Sequence, residues 1–226
     1  MQRRSYDQYC AVAKALDVIG ERWTLLVLRD LVHLGPRRFS DLREGLPGIS
    51  SNLLSDRLRY LEREQLIRKR RLPPPSASVV YELTELGAGL EPMIIELGRW
   101  GGNFMGDRQP SEAFFPSGHI SAIRATFRPE AAQGLQVSYD FRIDGQRFHV
   151  DIDDGALTAA LGEAEDPDLV IATDVETSIA LMERRQSPRE AVRSGAVVIE
   201  GSLGELDRCI DLLAWVPADV GKARTL

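Results

Sequence analysis

The hydrophobic period of the chain changes abruptly between residues 50 and 83, and this change restricts the fold more than any other feature. Within residues 50–64, leucines recur at i, i+4 and i+7, as on the buried face of a helix (Leu54, Leu58 and Leu61). Two short β-type runs follow, at residues 67–72 and 79–83. The Pro-rich stretch between them cannot lie inside a helix, because each proline lacks an amide donor. The sequence therefore predicts a helix that leads directly into a β-hairpin.

Helical spacing also marks three earlier segments, at about residues 9–16, 23–34 and 40–46. Helix, helix, short helix, helix and then a hairpin is the order of a winged helix-turn-helix. After the hairpin, one long helix is predicted from Thr84 to about Phe104. Its apolar side chains form a single seam along the helix, made of Leu86, Leu90, Met93, Leu97, Trp100 and Phe104.

Charge is divided unevenly along the chain, whose formal net charge is −6. Residues 1–110 carry a net charge of +3, and residues 111–226 carry −9. The basic excess is concentrated in residues 22–71, which contain 12 Lys and Arg against 6 Asp and Glu. Phosphate binding requires a surplus of Lys and Arg on a surface, so the first half is the one suited to nucleic acid. The asymmetry predicts two domains with different partners.

The second half alternates with a period of two. Residues 137–143 and 148–152 place apolar side chains at every second position, on either side of an Asp144-Gly145 turn. Further strands are predicted at residues 156–161, 169–173 and 196–199, and further helices begin at Asp174, Ser187 and Ser202. The predicted fold class is α+β, with an N-terminal winged helix-turn-helix (residues 1–106), a linker (residues 107–116) and a C-terminal α/β domain (residues 117–226).

The fourth predicted helix and the hairpin carry the candidate DNA-binding side chains. The three leucines define the buried face of the helix, so its Ser, Asn and Arg side chains point outward, where they can meet base edges and phosphate oxygens. The candidates are Arg37, Arg38, Ser50, Ser51, Asn52, Ser55, Arg59, Arg63, Arg68, Arg70 and Arg71. For any single arginine, a solvated charged face is the alternative.

Several motifs within about residues 8–105 resemble the HxlR-type winged-helix regulators. They are Cys10 and the runs ALDVIGERWTLL (residues 15–26), RFSDL (38–42), PGIS (47–50), LSDRL (54–58) and VYELT (80–84). The resemblance implies a homodimer joined through its first and last helices, in which each subunit places Ser50–Arg63 in the major groove of a double-stranded DNA operator. The apolar seam fits such an interface independently, because it is longer than one small domain can cover.

The second half resembles the sterol carrier protein-like domain over about residues 115–215. The two-stranded meander and the runs DLVIATD (168–174) and SGAVVIEG (194–201) carry this resemblance. It implies a C-terminal α/β sterol carrier-like domain with an apolar tunnel for a hydrophobic small molecule. The candidate ligand-binding residues are Phe141, Phe148, Val150, Ile152, Ile179, Met182, Leu206, Ile210 and Leu213. Simple core packing is the alternative for each of them.

Cysteine and histidine usage excludes several kinds of site. Two cysteines cannot form a disulfide framework, and three isolated histidines lack metal-ligand spacing. His119 and His149 are predicted to be surface or sheet polar residues. Cys10 matches a position that carries a reactive thiol in several HxlR-type sensors, with a small packed side chain as the alternative. We expect no metal, no cofactor and no catalytic constellation.

The sequence thus predicts a cytoplasmic, dimeric transcriptional regulator that binds a palindromic operator and senses a hydrophobic effector through its second half. No run approaches the length of a membrane span, so no membrane partner is expected. One alternative is a lipid carrier or sequestering protein whose winged helix serves mainly for dimerisation. Another is a thiol-based redox or electrophile sensor that acts through Cys10. An enzyme is not predicted.

Overall fold

The computed structural model describes residues 5–74, 77–106, 108–109 and 111–215. Its contacts divide the chain into an N-terminal unit, Met1–Ile94, and a C-terminal unit, Ile95–Leu226. The division lies within a helix rather than in the predicted linker at residues 107–116, because the second part of that helix packs on the helix that follows it. Residues 107 and 110 of the predicted linker lie outside the described residues.

The N-terminal unit has the predicted order of elements. Its helices are α1 (Ala11–Ile19), α2 (Thr24–Leu34), α3 (Phe39–Gly45) and α4 (Ser51–Arg63), and strands β1 (Ile67–Arg71) and β2 (Val79–Leu83) form an antiparallel hairpin. Residues 75 and 76, at the Pro-rich tip, lie outside the described residues. The leucines of α4 pack with α2 side chains such as Val27 and Leu28 in one hydrophobic core. This confirms the helix-to-hairpin prediction.

The long helix predicted from Thr84 to Phe104 is wrong. The structure has α5 (Glu85–Ala88), α6 (Glu91–Gly101) and a short 3-10 turn at Gly102–Phe104. Pro92 lacks the amide that would bond to the carbonyl of Ala88, so the ladder of hydrogen bonds is interrupted there. Gly87 must remain glycine, because a Cβ at this position would meet the carbonyl oxygen of Leu66 at 2.0 Å.

The C-terminal unit is a mixed sheet covered by helices. The strands are β3 (Gln136–Ile143), β4 (Gln146–Asp153), β5 (Ala156–Leu161), β6 (Leu169–Thr173) and β7 (Val197–Glu200), in the order β5-β4-β3-β6-β7. Strands β3 and β6 are parallel, and the other neighbours are antiparallel. Helix α7 (Pro116–Thr126) packs on β4 and β5. Helix α10 (Leu203–Leu213) packs on β6 and on helices α8 (Val175–Met182) and α9 (Pro188–Ser194).

The turn chemistry of this sheet follows the sequence. Asp144 and Gly145 both have positive φ, 46° and 80°, as a tight two-residue hairpin turn requires. Asp154 and Gly155 repeat this geometry at the next hairpin, with φ of 46° and 81°. The predicted strands and the helices that begin after Asp174, Ser187 and Ser202 are confirmed. The α+β fold class is therefore correct.

Helix α7 was not predicted from the sequence. Its segment, PSGHISAIRAT, contains Pro, two Ser and Gly, which are weak helix formers. It is also buried on several sides, so it shows no single apolar stripe; its buried residues include Ser117, His119, Ile120 and Ala125. A helix of this kind is stabilised by its tertiary contacts rather than by its own pattern.

Candidate nucleic-acid interface and ligand cavity

Helix α4 presents a polar face to solvent. Ser50 caps the helix, since its Oγ accepts a hydrogen bond from the amide of Leu53 at 3.2 Å. The three leucines opposite are at most 1% exposed. On the outer face, Ser51 and Asn52 are exposed and Ser55 is half-buried. The first two turns therefore offer short donors and acceptors of the kind that reach base edges.

Two of the three arginines of α4, Arg59 and Arg63, are exposed and loosely held, whereas the third, Arg57, is buried. An Nη2 atom of Arg59 lies 2.5 Å from Asp56 Oδ1, and the Arg59 side chain is 72% exposed. Arg63 pairs with Glu64 at 3.0 Å and lies over the ring of Tyr60. Exposed ion pairs of this kind contribute little to stability. Each guanidinium can therefore exchange its carboxylate for a phosphate at small cost.

One face of the hairpin holds two guanidinium groups on a single carboxylate. Arg68 and Arg70 place their Nε atoms 2.7 and 2.5 Å from the two carboxylate oxygens of Glu82. Register explains the contact, since Arg68 lies opposite Glu82 on the neighbouring strand and Arg70 lies diagonal to it. The hydrogen bonds from Arg70 and Arg68 lower the pKa of Glu82, which keeps it ionised. This face carries one net positive charge.

The other face of the hairpin carries Lys69 and Arg71. Lys69 Nζ lies 2.9 Å from Glu62 Oε2, and this hydrogen bond raises the pKa of Lys69. The side chain of Arg71 is exposed and has no acidic partner among the described residues. Arg71 is thus the hairpin cation most available to a phosphate.

The two adjacent arginines in the turn before α3 have different environments. The amide and carbonyl of Arg37 bond to Tyr81 in the hairpin, and its guanidinium donates to the carbonyl of Leu34 at 2.6 Å. Burial lowers the pKa of Arg37. Arg38 is exposed at the N-cap of α3, where its amide donates to Asp41. Arg37 therefore fixes the hairpin to the turn, whereas Arg38 faces solvent.

One exposed cation beside this face was missed from the sequence. Arg43, in the last turn of α3, donates from Nη1 to Ser51 Oγ at 3.4 Å. The order of the motif could have indicated it, because the end of α3 directly precedes the tight turn into α4. An exposed side chain there lies next to the start of α4.

The C-terminal unit contains a cavity of about 710 Å³. The ends of α6, α7 and α10 and the residues after α8 surround it. Its lining consists of Glu96, Gly98, Arg99, Trp100, Gly102, Asn103, Met105, Ala122, Ala125, Thr126, Phe127, Arg128, Glu183, Arg184, Asp211, Leu212, Ala214 and Trp215. Helices α6 and α7 approach closely, since a Cβ at Gly98 would lie 3.3 Å from Ser121 Oγ. Arg99 also donates to the carbonyl of Ala125 at 2.7 Å.

A buried histidine lies behind this cavity. His119 in α7 is 3% exposed, and neither of its ring nitrogens has a hydrogen-bond partner among the described residues. Four aromatic rings surround it, those of Phe114, Phe141, Phe148 and Trp215, at centroid distances of 5.0 to 6.2 Å. Burial lowers the pKa of His119 to about 3, so the imidazole is neutral at physiological pH. The prediction of a surface or sheet position for His119 is wrong, because α7 was not recognised.

The two cysteines differ in exposure. Cys10 is exposed at the N-cap of α1, and Cys209 is fully buried in α10. Burial raises the pKa of Cys209, which makes its thiol unreactive. No group of His, Cys, Asp or Glu side chains in the described ranges could hold a metal ion. Among those same residues, no helix is both long and apolar enough to cross a membrane.

Two family models match the chain, the HxlR-like helix-turn-helix at residues 18–109 and the SCP-2 sterol transfer family at residues 121–214. YvaP of Bacillus subtilis (strain 168), an uncharacterized HTH-type transcriptional regulator, is 34% identical over 87 residues, which cover 38% of this chain and 80% of YvaP. The HTH-type transcriptional regulator YodB of the same strain is 34% identical over 90 residues, which cover 40% of this chain and 80% of YodB. The chain belongs to the HxlR-like helix-turn-helix family. A solved structure of reduced YodB from B. subtilis has 31% identity and a TM-score of 0.38, and covers 45% of this chain and 100% of that one.

The chain is thus a transcriptional regulator of the HxlR type, and its second half contains an SCP-2 domain. Both predicted resemblances are thereby confirmed. The cavity draws on both matched segments, since its lining residues between 96 and 105 fall in the HxlR-like match and most of the others in the SCP-2 match.

The structure places the nine predicted ligand-binding residues in the interior of the SCP-2 domain. All are buried except Ile179, which is half-buried. Phe141 and Phe148 stack at 4.8 Å. None of the nine is among the residues that line the 710 Å³ cavity. Pattern alone identified the apolar interior, but the cavity wall is made of helix ends, which carry no periodic signal.

Proposed function

We propose that this HxlR-like regulator binds a palindromic DNA operator as a homodimer and that its SCP-2 domain senses a hydrophobic small molecule. The observation that carries the DNA part is the joint exposure of Asn52 and Arg59 on α4 with Arg70 and Arg71 on the hairpin. Helix side chains of this kind read base edges, and the cations beside them position the protein on phosphates. The full proposed set is the eleven residues named from the sequence, with Arg43 added, and within it Arg37 acts by fixing the hairpin to the turn before α3.

The proposed dimer rests on exposed apolar side chains of the N-terminal unit. On α1, Val12 is 67% exposed and Leu16 is 42% exposed, and Tyr9 precedes them at helical spacing. Leu86 and Met93 are 62% and 38% exposed in the segment that follows the hairpin. Apolar surface at these positions is stabilised by burial against a second copy. Two α4 helices related by a two-fold axis would occupy half-sites about one helical turn of DNA apart.

Selection of binding sites from random duplexes by the full chain tests this proposal. We expect the recovered sequences to contain two inverted half-sites about 10 base pairs apart, centre to centre, or a multiple of that spacing. Recovery of a single unrepeated site, or no enrichment at all, would contradict it. Repeating the selection with a cellular lipid extract tests the sensing part, since a bound effector should change the amount of DNA recovered.

The nine interior residues of the SCP-2 domain remain candidates for contact with an effector that enters the core. The carrier alternative, in which the winged helix serves mainly for dimerisation, is opposed by the hairpin. A dimerisation module has no use for Arg68, Lys69, Arg70 and Arg71 on an exposed strand.

Thiol sensing through Cys10 is a second candidate function. The observation that favours it is the exposure of this thiol at the start of α1, in contrast to the buried Cys209. In the folded protein, we expect a disulfide reagent to modify one thiol rapidly and the second only on unfolding. Cys10→Ser should abolish both the rapid reaction and any effect of diamide on DNA binding. An unchanged diamide response in Cys10→Ser would remove this candidate.

A further inference from the structure

The cavity at the end of α6 has an apolar wall built around two tryptophans. Trp100 and Met105 line it from α6 and the residues after it, Phe127 from the end of α7, Leu212 from the end of α10 and Trp215 from just after that helix. The Trp215 ring is held from behind by the buried His119, with ring centroids 5.0 Å apart. The wall is therefore aromatic and preformed, which favours a ligand with a ring or a compact apolar body.

Every carboxylate of the lining is paired with an arginine, and one arginine of the lining is not paired with a carboxylate in the part of the chain that the structure describes. Arg99 pairs with Glu96, and Arg184 lies 2.9 Å from Asp211. The third acid, Glu183, is 2.5 Å from Arg185, which is outside the lining. All three carboxylates of the lining are thus engaged. Arg128 is exposed at the cavity, and no carboxylate among the described residues pairs with it.

This balance of charge favours an anionic ligand. A cationic ligand would have to displace an arginine from Glu96, Glu183 or Asp211. An anionic group placed at Arg128 displaces no ion pair and gains a charge-assisted hydrogen bond. The cavity volume of about 710 Å³ lies within the range of pockets that enclose drug-sized molecules.

We propose that this cavity binds an amphipathic organic monoanion, with its ring system against Trp100 and Trp215 and its anionic group on Arg128. This inference rests on the proposed sensing function, because the cavity would be the sensing site and the monoanion would be the class of effector. Helix α6 belongs to both units. Its first turn contributes Ile94 to the core of the DNA-binding unit, and its last turns line the cavity, so a ligand in the cavity contacts a helix that continues into that unit.

A pair of fluorescent probes that differ only in charge tests the proposal without DNA. The probes are 8-anilinonaphthalene-1-sulfonate and N-phenyl-1-naphthylamine, which has the same rings but no sulfonate. Two of the three tryptophans line the cavity, so energy transfer from tryptophan reports a probe bound near it, and the probe affinity is taken from the midpoint of the titration, which does not depend on the number of donors. We expect the folded wild-type chain to bind the sulfonate more tightly than the uncharged amine.

Two variants test the contribution of the Arg128 charge and that of the aromatic wall separately. Arg128→Gln should weaken sulfonate binding about fivefold, as expected for one partly solvated ion pair, and leave amine binding unchanged. Trp100→Ala should weaken both probes, and since Trp100 is 62% exposed in the free chain, its loss leaves the core intact. Arg189→Gln is the matched control, because Arg189 is exposed on α9 and is not part of the lining.

The outcomes are distinct for this inference and for the proposed function. Equal loss of sulfonate binding in Arg128→Gln and Arg189→Gln, or no loss in either, would overturn the assignment of the anion to Arg128. Unchanged binding of both probes in Trp100→Ala would overturn the claim that they bind in this cavity. If the sulfonate binds as expected and DNA affinity does not change, the site stands and the sensing function fails. If neither probe binds while DNA binding is intact, only this inference fails.

Discussion

The two units of this regulator differ in the kind of surface that holds their candidate recognition side chains. In the N-terminal unit the core is made mainly of leucines, and the candidate DNA-binding side chains face outward from α4 and the hairpin. In the C-terminal unit the exterior is acidic, and the candidate site is a cavity between helix ends. A chain with a net charge of −6 can therefore present a basic face suited to DNA, since only the local charge of each face meets a partner.

Core substitutions should have the largest effects and should separate the two units. Leu28 is 0% exposed in the N-terminal core and Phe148 is 0% exposed in the C-terminal core. Leu28→Ala should cost about 2–5 kcal/mol and Phe148→Ala about 3–5 kcal/mol of unfolding free energy, because each leaves a cavity. We expect Leu28→Ala to weaken DNA binding and keep probe binding, and Phe148→Ala to do the reverse. Loss of both activities in either variant would show that the units do not act separately.

Acid should destabilise the C-terminal unit through His119. Its pKa is about 3 in the folded chain and about 6.5 when unfolded, so its contribution to stability is complete above pH 6.5 and is lost as the pH falls towards 3. Between pH 7 and pH 5 the loss should be about 2 kcal/mol. Thermal or urea unfolding of His119→Phe should lack this component, whereas His149→Gln should retain it. An identical pH dependence in His119→Phe would contradict the burial of a neutral imidazole.

Substitutions on α4 and on the hairpin should affect DNA binding in different ways. Asn52→Ala should change base preference at one position of the selected operator, with a discrimination of about 1–3 kcal/mol. Arg71→Ala should weaken all sequences alike and reduce the slope of log affinity against log salt by about 1. Competition with single-base operator variants measures the base preference, and a salt titration of the affinity measures the slope. A uniform loss in Asn52→Ala, or a change of base preference in Arg71→Ala, would reverse these roles.

The sequence predicted the N-terminal unit more completely than the C-terminal one, for physical reasons. Leu54, Leu58 and Leu61 repeat with the helical period, and the outward face follows from that period by geometry. Side-chain pairings are not periodic, so the ion pairs of Glu82 with Arg68 and Arg70 and the hydrogen bond from Arg37 to the carbonyl of Leu34 could not be deduced. Helix α7 was missed because its burial on several sides leaves no stripe to detect. The cavity was missed because helix ends meet there through tertiary packing alone.

The salt dependence of DNA affinity tests the central claim, that the exposed cations of α4 and the hairpin form the DNA interface. The slope of log affinity against log salt should be smaller by about 2 in Arg59→Ala/Arg70→Ala than in the wild type, because two phosphate contacts are removed. The matched control is Arg208→Ala, an exposed arginine on α10 that pairs with Glu205 much as Arg59 pairs with Asp56. Its slope should equal that of the wild type. An unchanged slope in the double variant, or an equal reduction in Arg208→Ala, would contradict the claim.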